Sequence, residues 1–173
     1  EQIDVGAERP TLPQTPGAPA WTRLQGPNQW PEALPELRPV LLRWQDEATA
    51  VLVRLLRAFS LALEQDENVF SPIYDGEPHQ LLKIIRYPGR DSTEDEQGVG
   101  AHKDSGLLTL LLQDDRGGLQ VERPDSWVDA EPLPGTFVVN IGELLELASK
   151  GYLRATVHRV ITPPAGRDRL SVA

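Results

Sequence analysis

Hydrophobic and polar positions follow two different periods along this chain. Between residues 40 and 67, apolar residues recur every three or four positions, at Leu41, Trp44, Ala48, Val51, Leu52, Leu55, Phe59 and Leu63. This spacing places them on one stripe of a helix and leaves the other faces to polar residues. The pattern therefore predicts a long amphipathic helix over residues 40–67, with Pro39 at its start, where a missing N–H costs little.

After residue 74 the pattern changes to short apolar stretches separated by Gly and Pro, which is typical of β-strands joined by turns. The stretches are LLKIIRYP, LLTLLLQ, GGLQVE, WVDA, TFVVNIG, ATVHRVITPP and RLSVA, with a polar loop at residues 90–100. Gly117-Gly118 is typical of a hairpin turn. Residues 143–150 predict a short helix with Gly151 as its C-cap. The whole pattern predicts a mainly β sandwich or barrel with a helix packed outside.

The first 39 residues contain eight prolines, which favours extended or turning chain without regular elements. Trp21 and Trp30 indicate that this segment packs against the rest of the protein. The chain contains no methionine and stops within an apolar stretch, RLSVA. We therefore expect a single domain over residues 1–173 that is a fragment of a larger chain, incomplete at both ends: a Pro-rich segment (1–39), the helix (40–67) and a β core (74–173).

Composition narrows the possible partners. The 173 residues carry a formal net charge of −9, from 17 basic and 26 acidic residues, which disfavours nucleic acid and anionic membranes as partners. The sequence contains no apolar run long enough to predict a membrane span. Cysteine is absent, which excludes disulfides and thiolate ligands and is compatible with a cytoplasmic location. Any metal must be bound by imidazole, carboxylate or water.

The stretch GVGAHKDSGLLTLLLQDD contains the first candidate metal ligands. If His102 and Asp104 lie on a strand, their side chains share one face, and Lys103 points away. His158, in the strand-like ATVHRVI, can supply a third ligand. Two imidazoles and one carboxylate form the facial triad typical of non-haem Fe(II) oxygenases. The alternatives are a polar loop pair for H-x-D and a hydrogen-bonded core histidine for His158.

A second group of polar residues is predicted to form a receptor for an anion. Arg169 and Ser171 are two residues apart in RLS and so share a strand face. A guanidinium donates two parallel hydrogen bonds to a carboxylate, and a serine hydroxyl adds a third. Tyr87, which ends another strand, can contribute a phenol O–H. Each residue also has a structural alternative: a surface ion pair, a strand hydroxyl and a core ring, respectively.

Together these motifs resemble the isopenicillin N synthase-like branch of the Fe(II)/2-oxoglutarate-dependent dioxygenases. The resemblance rests on HKD, His158 and RLS in this order, and on the stretches GPNQWP, LLKIIRYPG, GLQV and VVNIGELLELASKGYLRATVHRV. It implies a double-stranded β-helix, or jelly roll, with the long helix packed on it.

The resemblance also implies a division of roles. His102, Asp104 and His158 would bind Fe(II), while Arg169 and Ser171, assisted by Tyr87, would bind the distal carboxylate of 2-oxoglutarate. The implied enzyme uses O2 and 2-oxoglutarate to oxidise a small organic substrate, usually by hydroxylation, and releases succinate and CO2. The sequence predicts neither that substrate nor the oligomeric state.

Two departures from the family pattern leave alternatives open. Ile85 occupies a position where many plant members have Asn, and Gly142-Glu143 replaces the usual Gly-Asp. Arg86 precedes Tyr87, as in isopenicillin N synthase itself, an enzyme that binds its substrate's carboxylate with R-x-S and uses no 2-oxoglutarate. An Fe(II) oxidase of that type and a non-catalytic jelly-roll binding protein are therefore the alternatives. Arg86 is predicted to form a structural salt bridge, and His79 to be a loop residue.

Overall fold

A computed structural model describes residues 1–76, 78–91 and 97–173. Its strands are β1 (Gln2–Gly6), β2 (Leu81–Tyr87), β3 (Gln97–His102), β4 (Leu108–Gln113), β5 (Leu119–Arg123), β6 (Ser126–Asp129), β7 (Val138–Ile141), β8 (His158–Ile161) and β9 (Arg169–Val172). Its α-helices are α1 (Leu37–Ala62), α2 (Ser71–Tyr74) and α3 (Glu143–Ala148), and residues Ala20–Leu24 form a 3-10 helix.

The described residues divide into two compact units, Asp4–Leu82 and Glu1–Ile3 with Lys83–Ala173. The prediction of one domain over residues 1–173 therefore stays a prediction. None of the helices in the described part of the chain is both long and apolar enough to cross a membrane.

In the unit Asp4–Leu82, the main element is α1, which buries Leu41 and Leu56. Its bounds differ from the predicted 40–67. The helix starts at Leu37, which places Pro39 within its first turn, where backbone N–H groups have no helical partner. It ends at Ala62, and Glu64, two residues later, adopts a positive φ of 56° that a right-handed helix cannot contain.

The prediction that residues 1–39 lack regular elements is wrong. They contain β1 and the 3-10 helix. The Asn28 side chain donates to the Gly6 carbonyl and accepts from the Gly6 N–H, both at 2.9 Å, and so satisfies the backbone at the end of β1. Trp30 Nε1 donates to Glu8 at 2.7 Å, whereas Trp21 is 61% exposed. Because this segment is rich in proline, its sequence did not predict the short strand, whose end is stabilised by side-chain hydrogen bonds.

The unit that contains Lys83–Ala173 consists of antiparallel sheets. The large sheet has the order β1-β2-β9-β4-β7 and the small sheet the order β3-β8-β5-β6. The core takes Tyr87 and Leu111 from the large sheet and Leu119 and Val160 from the small one, so it lies between the two. The mainly β jelly roll predicted from the sequence is confirmed.

Two predicted turns differ from the structure. Gly117 and Gly118 do have positive φ, but they connect β4 of the large sheet to β5 of the small sheet and form no hairpin. The helix α3 has Ser149, not Gly151, as its C-cap. Lys150 takes the left-handed position next, with φ of 53°, and Gly151 N–H reaches back to the Glu146 carbonyl at 2.8 Å. The predicted loop 90–100 falls partly on residues 92–96, outside the described residues, and β3 already begins at Gln97.

Candidate metal centre and anion receptor

Three side chains converge where β3 and β8 pair. His102 lies opposite His158 in the register of the two strands. The Nε2 atoms of His102 and His158 lie 3.9 Å and 3.7 Å, respectively, from Asp104 Oδ1. The three ligand atoms all lie within 4.8 Å of one another. Strand pairing therefore brings together residues that are distant in sequence.

Backbone carbonyls orient both imidazoles. His102 Nδ1 lies 2.7 Å from the Gly100 carbonyl oxygen, and His158 Nδ1 lies 3.1 Å from that of Thr156. A carbonyl oxygen can only accept, so each Nδ1 carries a proton, and in the neutral imidazole each Nε2 presents its lone pair to the cluster. Metal-binding histidines are usually held in this way by a partner of the second nitrogen. The donor set of two imidazole nitrogens and one carboxylate oxygen fits Fe(II).

Asp104 reaches the cluster differently from the prediction. β3 ends at His102, so Asp104 lies in the following loop, and the prediction that the two side chains share a strand face is wrong. The loop is held by the start of α3, where the Glu143 N–H donates to the Asp104 carbonyl at 2.8 Å. Asn140 Nδ2 donates to Asp104 Oδ2 at 3.1 Å, which leaves Oδ1 turned toward the histidines.

Arg169, Ser171 and Tyr87 come together on the neighbouring strands β2 and β9 of the large sheet. Tyr87 pairs with Arg169, and Ile85 pairs with Ser171. Arg169, Ser171 and Tyr87 are only 1%, 3% and 7% exposed, whereas Leu170 between the two receptor residues is 47% exposed. This alternation places Arg169 and Ser171 on the inner face of β9.

Two of the three guanidinium nitrogens of Arg169 donate hydrogen bonds to neighbouring residues. Its Nε donates to the Gly117 carbonyl at 2.6 Å and its Nη2 to Gln113 Oε1 at 2.9 Å. Its carbon Cζ lies 5.0 Å from the centre of the Tyr87 ring. Burial lowers the pKa of Arg169, an effect that the Tyr87 hydroxyl and Asp114 oppose.

Nη1 of Arg169 is buried, and the described residues provide it with no hydrogen-bond partner. Leaving a charged donor unpaired is costly, so this atom fits an anionic ligand. Arg169 also lines a cavity of about 210 Å³, together with Gly118, Ile161 and Thr162. The residues present thus fit a carboxylate such as that of 2-oxoglutarate.

The other single-residue predictions have mixed outcomes. Arg86 forms the predicted salt bridges, 2.7 Å to Glu1 and 2.6 Å to Asp168. Lys103, which was predicted to point away from the ligands, forms an ion pair in which its Nζ lies 2.9 Å from Glu146 Oε2. His79 lies between α2 and β2, as predicted for a loop residue.

Sequence reasoning missed the residues that support the site: Asn140, Gln113 and Glu146. Asn140 left a usable signal, because a polar residue inside the apolar strand VVNIG needs a buried partner. Gln113 and Glu146 left none, because nothing in their local pattern distinguishes them and their partners are distant in sequence.

Known proteins resemble this chain in sequence and in fold. Residues 78–173 match the model of the 2OG-Fe(II) oxygenase superfamily. A homoarginine-6-hydroxylase of Arabidopsis thaliana is 40% identical over 144 residues, 80% of this chain and 43% of the relative. A 2-oxoglutarate-Fe(II) type oxidoreductase of Emericella nidulans, hxnY, is 36% identical over 155 residues, 85% of this chain and 44% of the relative. The chain thus spans less than half the length of these curated relatives.

A solved structure agrees in fold. The crystal structure of a full-length Neurospora crassa protein in complex with α-KG and 5-formyluracil superposes with a TM-score of 0.82 at 31% identity. The match covers 99% of this chain and 55% of that one. The similarity in fold therefore extends over nearly the whole of the present chain.

Proposed function

The chain belongs to the 2OG-Fe(II) oxygenase superfamily, and from this premise we propose that it carries the catalytic centre of an oxygenase that couples 2-oxoglutarate decarboxylation to oxidation of a small organic molecule. The observation that carries the proposal is the convergence of two imidazole Nε2 atoms and one carboxylate oxygen within 4.8 Å. His102, Asp104 and His158 would hold Fe(II), which supplies O2 activation when bound.

In this proposal Arg169, Ser171 and Tyr87 bind and orient the cosubstrate. Nη1 of Arg169, which has no hydrogen-bond partner among the described residues, would donate to an oxygen of the distal carboxylate of 2-oxoglutarate. Gly117 and Gln113 hold the guanidinium from the other side, so little conformational freedom is lost when the ligand binds. Burial excludes water from this pair and strengthens the charge-assisted hydrogen bond.

Hydroxylation of a small molecule is the most direct outcome for the substrate. One relative is named a homoarginine-6-hydroxylase, and the similar crystal structure is a complex with α-KG and 5-formyluracil. His102 is the exposed member of the triad, with 41% of its side chain accessible, so the metal would be approached from its side. A cytoplasmic location and the absence of nucleic-acid partners stay predictions.

The test is formation of succinate from 2-oxoglutarate in the presence of Fe(II) and O2, alone and with added L-homoarginine or thymine as first probes. We expect succinate from the intact protein, and none above background from Asp104→Ala. No succinate in any mixture, from protein that is folded and loaded with Fe(II), would overturn the proposal.

The same experiment separates the alternative of an oxidase without 2-oxoglutarate. That enzyme would consume O2 with a substrate while forming no succinate. Arg86, the residue shared with isopenicillin N synthase, is engaged by Glu1 and Asp168 at the surface and is 49% exposed. This position offers no support for a role of Arg86 in binding a substrate, so the 2-oxoglutarate-dependent reaction is the better supported one.

A further inference from the structure

One carboxylate oxygen connects the two segments that carry the metal ligands. Glu146, on α3, accepts hydrogen bonds at its Oε2 from Lys103 Nζ at 2.9 Å and from the Ala155 N–H at 2.8 Å. Both bonds are charge-assisted, and the one with Lys103 is the main cause that lowers the pKa of Glu146. The carboxylate is thus ionised when it holds both donors.

Each donor is adjacent to a ligand segment. Lys103 is the residue between His102 and Asp104, so fixing its side chain restrains the backbone of both. Ala155 is 5% exposed and precedes Thr156, whose carbonyl oxygen orients the His158 ring. A shift of Ala155 would therefore move the acceptor that determines where His158 Nε2 points.

The helix that carries Glu146 is itself fixed. Leu145 is 0% exposed, and the Leu144 N–H donates to the Gly106 carbonyl at 3.1 Å, in the loop that follows Asp104. A Cβ on Gly142, the N-cap of α3, would overlap the carbonyl oxygen of Gly106, so the helix and this loop are packed backbone to backbone. Glu146 therefore projects from a rigid support.

We propose that Glu146 is a positioning residue that holds the His102–Asp104 segment and the His158 segment in the relative geometry needed to bind the metal. The inference rests on the metal site of the proposed function. It concerns a residue whose hydrogen bonds go to none of the three ligand side chains. Its role is to keep the ligand atoms together before the metal arrives, which reduces the cost of ordering them on binding.

The test measures Co(II) affinity of the intact protein by visible absorption, with Co(II) as a spectroscopic substitute for Fe(II). We expect Glu146→Ala to weaken Co(II) binding about tenfold, within the range typical of residues that support metal ligands. Glu146→Gln keeps an acceptor oxygen and should weaken it less. Glu131→Gln, at an exposed glutamate, removes the same charge and should leave the affinity unchanged.

Charge and positioning are separated by the double variant Lys103→Met/Glu146→Ala. It removes one positive and one negative group, so the net charge near the metal is unchanged while both hydrogen bonds are lost. We expect binding to stay about tenfold weaker than in the unchanged protein, with an altered Co(II) spectrum. Recovery of the original affinity in the double variant would show that Glu146 acts only by charge, and would overturn the proposal.

Folding and the metal site have separate readouts. The free energy of unfolding without metal, measured by urea titration, shows whether a variant is folded. If Glu146→Ala does not fold, Glu146→Gln replaces it in the affinity measurement. Unchanged Co(II) affinity and spectrum in a folded Glu146 variant would refute the positioning role while leaving the proposed function intact. If the unchanged protein itself bound no Co(II) or Fe(II), the proposed function would fail first.

Discussion

The two sheets of the β unit carry two clusters that differ in almost every physical respect. The small sheet and the loop after it hold the metal triad, in which His102 has 41% and Asp104 20% of its side chain exposed. The large sheet holds Arg169 and Ser171 at 1% and 3% exposure. The triad is open at His102 and Asp104, although His158 is only 6% exposed, and its imidazoles are held by neutral backbone carbonyls. The receptor is buried throughout and contains a positive charge.

This difference indicates what each cluster contributes. An open triad lets metal, O2 and substrate exchange, and its ligands need only be oriented, because the metal supplies the binding energy. A buried guanidinium needs an anion to compensate its charge, so we expect the receptor to bind an anionic group such as a carboxylate. Removal of a triad side chain should therefore affect metal binding more than folding, and removal of Arg169 should affect both folding and cosubstrate binding.

The largest expected effect is that of Asp104→Ala. The change removes the charged ligand and leaves two neutral imidazoles, so Fe(II) affinity should fall at least about a hundredfold. Metal content after gel filtration measures this loss. The free energy of unfolding without metal should hardly change, because Asp104 is not in the core. A variant that kept Fe(II) at the original stoichiometry would contradict the assignment of the triad.

Arg169→Met tests the receptor. It removes the charge-assisted donor, so the Kd of 2-oxoglutarate should rise about tenfold to a hundredfold, with Fe(II) affinity little changed. The matched control is Arg167→Met, since Arg167 lines the same cavity but is exposed. Isothermal titration of the metal-loaded variants gives both values. Equal losses for the two variants would mean that the cavity attracts anions in general and that Arg169 has no special role.

Asn140→Ala should have a smaller effect on the metal side alone. It removes the donor to Asp104 Oδ2, so the carboxylate can rotate away from the histidines, and Fe(II) affinity should fall about tenfold. With the metal saturating, 2-oxoglutarate affinity should be unchanged. A loss of 2-oxoglutarate affinity instead would show that the two clusters are more closely coupled than their separate contacts suggest.

The smallest expected effect is a pH dependence outside both clusters. The hydrogen bond from Arg86 lowers the pKa of Asp168 below its ordinary value of about 3.9. This ion pair stabilises the folded state above the unfolded pKa, and the contribution is lost as pH falls through the folded pKa. Between about pH 5 and about pH 3, Asp168→Asn should therefore lose less stability than the unchanged protein. Parallel curves from urea titrations would contradict this.

The sequence predicted the inward side chains of both clusters, because alternation along ATVHRVI and RLSVA is a local property. Prediction from the sequence failed for residues that lie outside helices and strands. Asp104 reaches the metal site from a loop, and its position depends on hydrogen bonds from α3, which is distant in sequence. The roles of Gln113 and Glu146 depend on tertiary contacts in the same way, and no spacing of residues reveals them.

The central claim is that the open triad and the buried receptor bind one metal–cosubstrate complex. Anaerobic addition of Fe(II) and then 2-oxoglutarate tests this most directly, by the visible charge-transfer absorption that forms only when 2-oxoglutarate binds the iron. We predict that the band appears in the intact protein, is absent in Asp104→Ala, and requires higher 2-oxoglutarate concentrations in Arg169→Met. Folded protein that binds Fe(II) and 2-oxoglutarate without forming the band would contradict the account.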